Sequence, residues 1–408
     1  MEVPGIDAIW HQIWTDTISD YPRLAASAAH VYGHPRAFTE SFAAYRPAPD
    51  VIMARYIINE QLVRGVSLVE TMFYSATPAG QAARQEVPAD SAAAPQTPTK
   101  DLKVASSPMP NLGAPNAPAP RRGGPSAVMR DPAWPALMDY TRRLSYVMSM
   151  GGPAASIALY IPSSSMWLND READTAFVAS EQMLAERQID FDIINQDALS
   201  TELKAGSGFL ESMSGNRYRT VILPSASVLS QAELDRLRTL ANGGGKVLFL
   251  GRTPALISDR TMLGARAATP EDFAWATVET SAQLPPTPTP PAQAPTAPPA
   301  PQVVPAAIET ALGTVIGTRE VALDGPDTGI KVVTRRLRDA DVFLFFNESE
   351  QARVHPASLK SDGHRVEEWD PATGKVSPME NQSLNGTVHL LLALKPYETK
   401  LVVVRGSR

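Results

Sequence analysis

The clearest hydrophobic pattern lies in the middle of the chain, where short apolar runs alternate with amphipathic stretches. The short apolar runs occupy residues 156–161, 191–194, 220–223 and 246–250. Continuous apolar runs of four to six residues are typical of strands buried on both faces of a parallel sheet. Helical spacing of apolar residues fills the intervals at 138–150, 174–187 and 231–242. Residues 133–263 therefore predict a doubly wound, flavodoxin-like α/β domain.

The pattern differs at the two ends of the chain. Residues 1–77 alternate helical spacing at 19–31 and 50–64 with an apolar run at 67–74, which indicates part of a parallel sheet or barrel. Residues 305–408 instead contain short runs separated by turn residues, at 331–335, 341–346, 364–369, 387–394 and 399–404. This second pattern is typical of an antiparallel β-sandwich.

Two stretches have almost no periodicity and separate the three units. Residues 78–132 are rich in Ala, Pro, Gly and Gln and predict a low-complexity insertion. Residues 264–304 contain a dense run of prolines and predict an extended linker. The fold class is therefore a multidomain α/β protein with a partial barrel, a flavodoxin-like domain and a β-sandwich.

Composition narrows the functional classes. The 408 residues carry 37 basic and 43 acidic side chains, a net charge of −6, and no basic stripe that would suit nucleic acid. The absence of cysteine excludes disulfides, thiolate metal sites and a cysteine nucleophile. No apolar run approaches the roughly 18 residues of a membrane span. The N-terminus lacks a secretory signal pattern, so localisation stays open: periplasmic or secreted if a signal-bearing full-length form exists.

The candidate catalytic and binding residues are concentrated between Arg23 and Tyr45. A strand end here carries Glu40, preceded by His30 and Arg36, and such strand ends are common sites of sugar chemistry in α/β folds. The alternative to a sugar site is that these charged residues belong to a salt-bridged surface loop. Glu70, within an apolar run, is either a second site residue or the partner of an arginine.

Other features have weaker functional meaning. His30 could bind a sugar hydroxyl or be a satisfied core histidine, and Trp10 and Tyr45 could stack on a sugar or belong to the core. The serines at 163–165 follow an apolar run where a flavodoxin-like fold binds phosphate, but Pro162 and the lack of a following glycine argue against it. We therefore expect neither a flavin nor a nucleotide.

Several segments, in order, closely resemble glycoside hydrolase family 106, the alpha-L-rhamnosidases: VPGIDAIWHQIW, PRLAASAAHVYG, AFTESFAAY and LVRGVSL. WDPATGK and LKPYETKLVVV are similar to downstream domains of that family. The resemblance implies an inverting exo-hydrolase that releases terminal L-rhamnose from glycans, built on a (β/α)8 barrel, with calcium as a possible ion near the sugar.

The resemblance also assigns residues. It implies that Glu40 is a catalytic carboxylate, the base that activates water, and that His30 and Arg36 lie in the sugar subsite by position. The chain departs from the family at Glu70, followed by Thr71, where a histidine or similar polar group is expected. The family's partner acid is expected well upstream of Glu40.

A complete barrel needs about 200 residues or more, whereas about 77 precede the first low-complexity stretch. We therefore expect the C-terminal portion of a longer enzyme, with little or no activity as this chain. A non-catalytic carbohydrate-binding or assembly module is the alternative function.

Overall fold

The computed structural model describes residues 3–8, 13, 21–43, 45, 49–71, 127–259, 263–281 and 305–406. Trp10 and most of the predicted insertion at 78–132 lie outside this part of the chain. None of the helices in the described ranges is long and apolar enough to cross a membrane.

The described part contains helices and strands in all three units. The helices are Arg23–Val31 (α1), Val51–Leu62 (α2), Trp134–Met148 (α3), Ser163–Trp167 (α4), Arg171–Ala185 (α5), Gln231–Asn242 (α6) and Ala306–Ile316 (α7). The strands are Gly5–Ala8 (β1), Phe38–Ser41 (β2), Leu68–Thr71 (β3), Gly152–Pro153 (β4), Ile157–Tyr160 (β5), Phe191–Ile194 (β6), Lys204–Gly206 (β7), Phe209–Glu211 (β8), Arg217–Tyr218 (β9), Thr220–Pro224 (β10), Val228–Ser230 (β11), Lys246–Leu250 (β12), Leu256–Ser258 (β13), Ala265–Ala267 (β14), Thr277–Glu279 (β15), Val321–Leu323 (β16), Ile330–Arg336 (β17), Ala340–Asn347 (β18), Arg353–Lys360 (β19), Arg365–Trp369 (β20), Val376–Pro378 (β21), Asn381–Leu384 (β22), Thr387–Leu394 (β23) and Thr399–Arg405 (β24).

The first unit is a parallel sheet in the order β1-β2-β3, with α1 and α2 as the connections between its strands. The side chain of Asp50 caps α2 by accepting a 2.8 Å hydrogen bond from the Met53 amide. Both helices occupy the ranges in which the apolar spacing predicts them. The alternation of strand and helix along the chain therefore gives the expected β/α arrangement here.

The second unit has a five-stranded parallel sheet in the order β15-β12-β10-β5-β6. Four of these strands coincide with the apolar runs. The fifth, β15, lies inside the predicted linker at 264–304. Its sequence Thr-Val-Glu has one apolar residue, so it lacks the apolar run by which the other four are recognised.

Helix α7 changes the predicted boundary between the second and third units. The sequence assigns it to the unit at 305–408, yet Ile308 and Leu312 are fully buried in one core with Ile157 and Leu248 of the parallel sheet. The helix therefore covers a face of the α/β sheet and belongs with the second unit.

The third unit has two antiparallel sheets that share one core. One has the order β16-β19-β23-β22, and the other the order β21-β20-β24-β18-β17-β4. Phe343 and Val402 from the larger sheet pack with Leu359 and Leu390 from the smaller. Helix α3, predicted as the start of the second unit, instead packs between α2 and the other face of the larger sheet, through a core that contains its Leu144.

Candidate active site

Three carboxylates form a row across the sheet of the first unit. Asp7 on β1 is in register with Glu40 on β2, and Glu40 is in register with Glu70 on β3. Side chains at the same register position of parallel strands point to the same face of a sheet. The three carboxylates therefore lie side by side, each near the carboxyl end of its strand.

The alternation of side chains along β2 identifies the face that the row occupies. Thr39 and Ser41 are fully buried on the face covered by the helices, where the Ser41 hydroxyl donates a 2.9 Å hydrogen bond to Gln61 of α2. Glu40, between them, points the other way and is partly exposed. The row thus lies on the face opposite the helices, which is the interior face in a β/α barrel.

Strand pairing sets the spacing of the carboxylates in the row. Neighbouring strands lie about 4.8 Å apart, so the backbones of Asp7 and Glu70 are about 10 Å apart with Glu40 midway. Glycosidases use carboxyl groups separated by roughly 5–9.5 Å. Asp7 and Glu70 are exposed and Glu40 is partly exposed, so a substrate can reach the row.

Sequence reasoning identified Glu40 and Glu70, and the structure brings these two together. It missed Asp7, because the pairing of β1 with β2 joins residues that are far apart in the sequence. A usable signal was present: Gly5–Ala8 and Phe38–Ser41 each have an acidic residue at the third position of a short strand. Because Glu70 is exposed, the desolvation cost expected for a buried carboxylate does not arise.

His30 is placed away from the row, on a buried face of α1 that contacts the second unit. Its Nδ1 lies 2.7 Å from Asp192 of β6, and the side chain is only 11% exposed. The Tyr218 hydroxyl donates to the other Asp192 oxygen at 2.8 Å. His30 therefore joins two units, which matches the satisfied-histidine alternative.

The remaining predicted residues are placed as follows. Arg36 is exposed in the loop that enters β2, about 13 Å of extended chain from Glu40. Tyr45 is core: it is 5% exposed, burial raises the pKa of its phenol, and its hydroxyl donates to the Ile13 carbonyl at 3.1 Å. Trp10 lies outside the described residues.

No group of three histidines or carboxylates in the described ranges is arranged to hold a metal ion. The row Asp7–Glu40–Glu70 does not fit calcium by itself, and calcium stays a prediction from the family resemblance.

The serines that follow β5 are used within the protein. The Ser165 hydroxyl accepts hydrogen bonds from the amides of Ser227 and Val228, at 3.0 and 3.4 Å, where the loop after β10 leads into β11. Beside this loop Arg252 forms an ion pair with Asp170, and Asp170 caps α5. The crevice above the parallel sheet is therefore bridged by its own side chains.

A family model described as alpha-L-rhamnosidase matches residues 128–383, more than half of the chain. No curated protein matches the chain. Among solved structures, the rhamnosidase from Novosphingobium sp. PP1Y is similar over 100% of this chain and 35% of its own, with 21% identity and a TM-score of 0.64. This chain thus spans about a third of that rhamnosidase.

Two further enzymes share the fold over 98% of this chain at 13% identity. They are alpha-L-fucosidase isoenzyme 2 from Paenibacillus thiaminolyticus, covered over 65% of its length with a TM-score of 0.52, and a GH42 beta-galactosidase from G. stearothermophilus, covered over 59% with a TM-score of 0.52. At such identities the similarity concerns the fold alone.

Proposed function

The chain belongs to glycoside hydrolase family 106, the alpha-L-rhamnosidases, and from this premise we propose that it forms part of an enzyme that hydrolyses terminal L-rhamnose from glycans. The observation that supports this proposal is the row Asp7–Glu40–Glu70, three carboxylates on the open face of a parallel sheet. The matching family model covers residues 128–383, outside this row, so the row supplies the independent chemical argument.

In the proposed reaction Glu40 is the general base of an inverting hydrolysis. Glu40 takes a proton from water, the water oxygen bonds to the anomeric carbon, and the glycosidic C–O bond breaks. A second carboxylic acid protonates the leaving oxygen. Asp7 and Glu70 lie on strands about 4.8 Å from that of Glu40, closer than the roughly 6.5–9.5 Å between the two carboxyl groups of an inverting enzyme. In our proposal they therefore accept hydrogen bonds from sugar hydroxyls, and the acid is a residue outside the row.

We propose the three units as a barrel segment, a flavodoxin-like domain and a β-sandwich. Numbered along its own unit, the parallel sheet has the order 2-1-3-4-5, which supports the flavodoxin-like assignment. The two antiparallel sheets around one core support the sandwich. The sheet β1-β2-β3, one face of which is covered by α1 and α2, supports the barrel segment.

We further propose that the chain alone releases little or no rhamnose. Glycosidase sites exclude bulk water and hold the sugar from several sides, whereas the row here lies on an exposed face formed by three described strands. His30 and Arg36 stay predictions as sugar ligands, and the placement of His30 favours a structural role.

The test is release of the aryl group from an aryl alpha-L-rhamnoside, measured for this chain and for the complete product of its gene, including any in-frame sequence upstream of Met1. In the active form, Glu40→Gln should lower kcat at least 100-fold, as expected for loss of a catalytic base. Glu350→Gln, an exposed carboxylate outside the row, is the matched control.

Three outcomes contradict parts of this proposal. Hydrolysis by the 408-residue chain alone would refute its inactivity. Undiminished hydrolysis by Glu40→Gln would remove Glu40 from the mechanism. Binding of rhamnose-containing glycans without hydrolysis by any form would favour the non-catalytic module.

A further inference from the structure

A cavity of about 660 Å³ lies where the second unit meets the third. Its walls come from β4, the turn before β9, the segment that follows α7, and the ends of β17 and β19. A cavity of this size at a junction between units is within the range of small-molecule binding sites.

The cavity wall is strongly basic. Arg217, Arg219, Arg336 and Lys360 line it together with one carboxylate, Glu320. Four cations against one anion give an excess of three positive charges, in a chain whose net charge is −6. Overall composition therefore does not account for this concentration of positive charge.

Within the described part of the chain, two of these cations have a carboxylate partner and two do not. Arg217 pairs with Glu211 at 2.8 Å, and Arg336 pairs with Asp341 at 3.3 Å. Among the described residues no carboxylate oxygen lies within 4 Å of the charged groups of Arg219 or Lys360. All four basic side chains are exposed, so water screens their mutual repulsion, and the charges of Arg219 and Lys360 remain accessible to an anion in the cavity.

The neutral part of the wall is held in place and leaves the backbone accessible. The Asn216 side chain donates hydrogen bonds to the Ala155 carbonyl at 2.9 Å and to Asp192 at 3.3 Å, so the turn is fixed to the buried interior. Gly152 and Gly215 have no heavy atom within 4 Å of the position a Cβ would take. A ligand can therefore approach the main chain directly.

This cavity is separate from the carboxylate row. The Met213 amide, in the same turn, donates a 3.0 Å hydrogen bond to the carbonyl of Val31 at the end of α1. That contact precedes β2, whereas Glu40 is near the carboxyl end of β2. The cavity and the row thus lie toward opposite ends of the strand.

We propose that this cavity binds an acidic sugar, a uronate residue of a glycan, whose carboxylate pairs with Arg219 and Lys360. The excess positive charge and the two unpaired cations point to an anion, and the volume and accessible backbone admit a sugar ring. The choice of a saccharide rests on the proposed glycosidase function; the choice of an anion does not.

The test is isothermal titration calorimetry of the purified chain with D-glucuronate, D-glucose and sodium sulfate. Glucuronate should bind saturably and more tightly than either other probe. The double variant Arg219→Gln/Lys360→Gln should weaken glucuronate binding about tenfold or more, because two charge-assisted hydrogen bonds are lost. Because the exchange also removes unpaired positive charge, this variant should melt no lower than the wild-type chain.

The matched control is Arg171→Gln/Lys204→Gln, which removes the same charge from exposed positions outside the cavity. Equal weakening by the control, no saturable glucuronate binding, or equal binding of glucose would overturn the proposal. Sulfate binding as tightly as glucuronate would refute the saccharide and leave a simple anion site. None of the probes contains rhamnose, so failure of rhamnoside hydrolysis is a separate result.

Discussion

Asp190 joins all three units of the protein, and its removal should be strongly destabilising. One carboxylate oxygen accepts a 2.9 Å hydrogen bond from Arg23 of α1. The other accepts from the amide and the hydroxyl of Thr334 on β17, at 2.9 and 2.8 Å. Asp190 itself precedes β6 and is 4% exposed.

The size of the destabilisation follows from the buried charge that Asp190→Ala leaves without its partner. The Arg23 side chain is 5% exposed, so it would keep its charge in a buried site beside the carbonyl and the ring of Phe191, with its carboxylate partner removed. Breaking a buried ion pair by removing one partner costs about 3–5 kcal/mol. At about 2 °C per kcal/mol for a large cooperative unit, the melting temperature should fall by about 6–10 °C.

The assay is thermal unfolding followed by circular dichroism, with Asp197→Ala as the control because Asp197 is exposed. The double variant Arg23→Leu/Asp190→Ala should be more stable than Asp190→Ala, since it leaves no buried cation unpaired. A melting temperature for Asp190→Ala within about 1 °C of the Asp197→Ala control, or a double variant less stable than Asp190→Ala, would refute this reasoning.

Two further predictions concern the third and second units. Partial burial opposes protonation of His355, but hydrogen bonds to Asp324 and Asp327 outweigh it and raise the pKa of the imidazole. The stability that protonated His355 adds should be complete below about pH 6.5 and should be lost as the pH rises through the folded pKa. In urea unfolding, His355→Gln should abolish this pH dependence. Ser230 and Glu233 form a reciprocal capping box at the start of α6, so Ser230→Ala should cost about 1 kcal/mol in the same assay, and no loss would contradict the cap.

Much of the fold follows from local pattern. The strands β5, β6, β10 and β12 were predictable because a strand buried on both faces needs a continuous apolar run. Strand β15 and the position of α7 were not, because β15 has one apolar residue and the apolar face of α7 suits any sheet that offers a partner. Which sheet α7 covers depends on distant residues.

The candidate site, like the fold, was only partly predictable from the local sequence pattern. Glu40 was identifiable from its place at a strand end and from the family resemblance. Asp7 was not recognised as its neighbour, because strand pairing joins residues that are far apart in sequence. The contact between His30 and Asp192 could not be predicted for a similar reason, because the two residues are 162 positions apart.

The sequence by itself determined the family, and it supplied the predictions of three kinds of unit and of a catalytic role for Glu40, since these depend on composition, periodicity and short motifs. Only the tertiary structure decided that Asp7, Glu40 and Glu70 form one row, and that four basic side chains surround one cavity. Register and packing between units create these groupings, and both are contacts between residues that no local pattern connects.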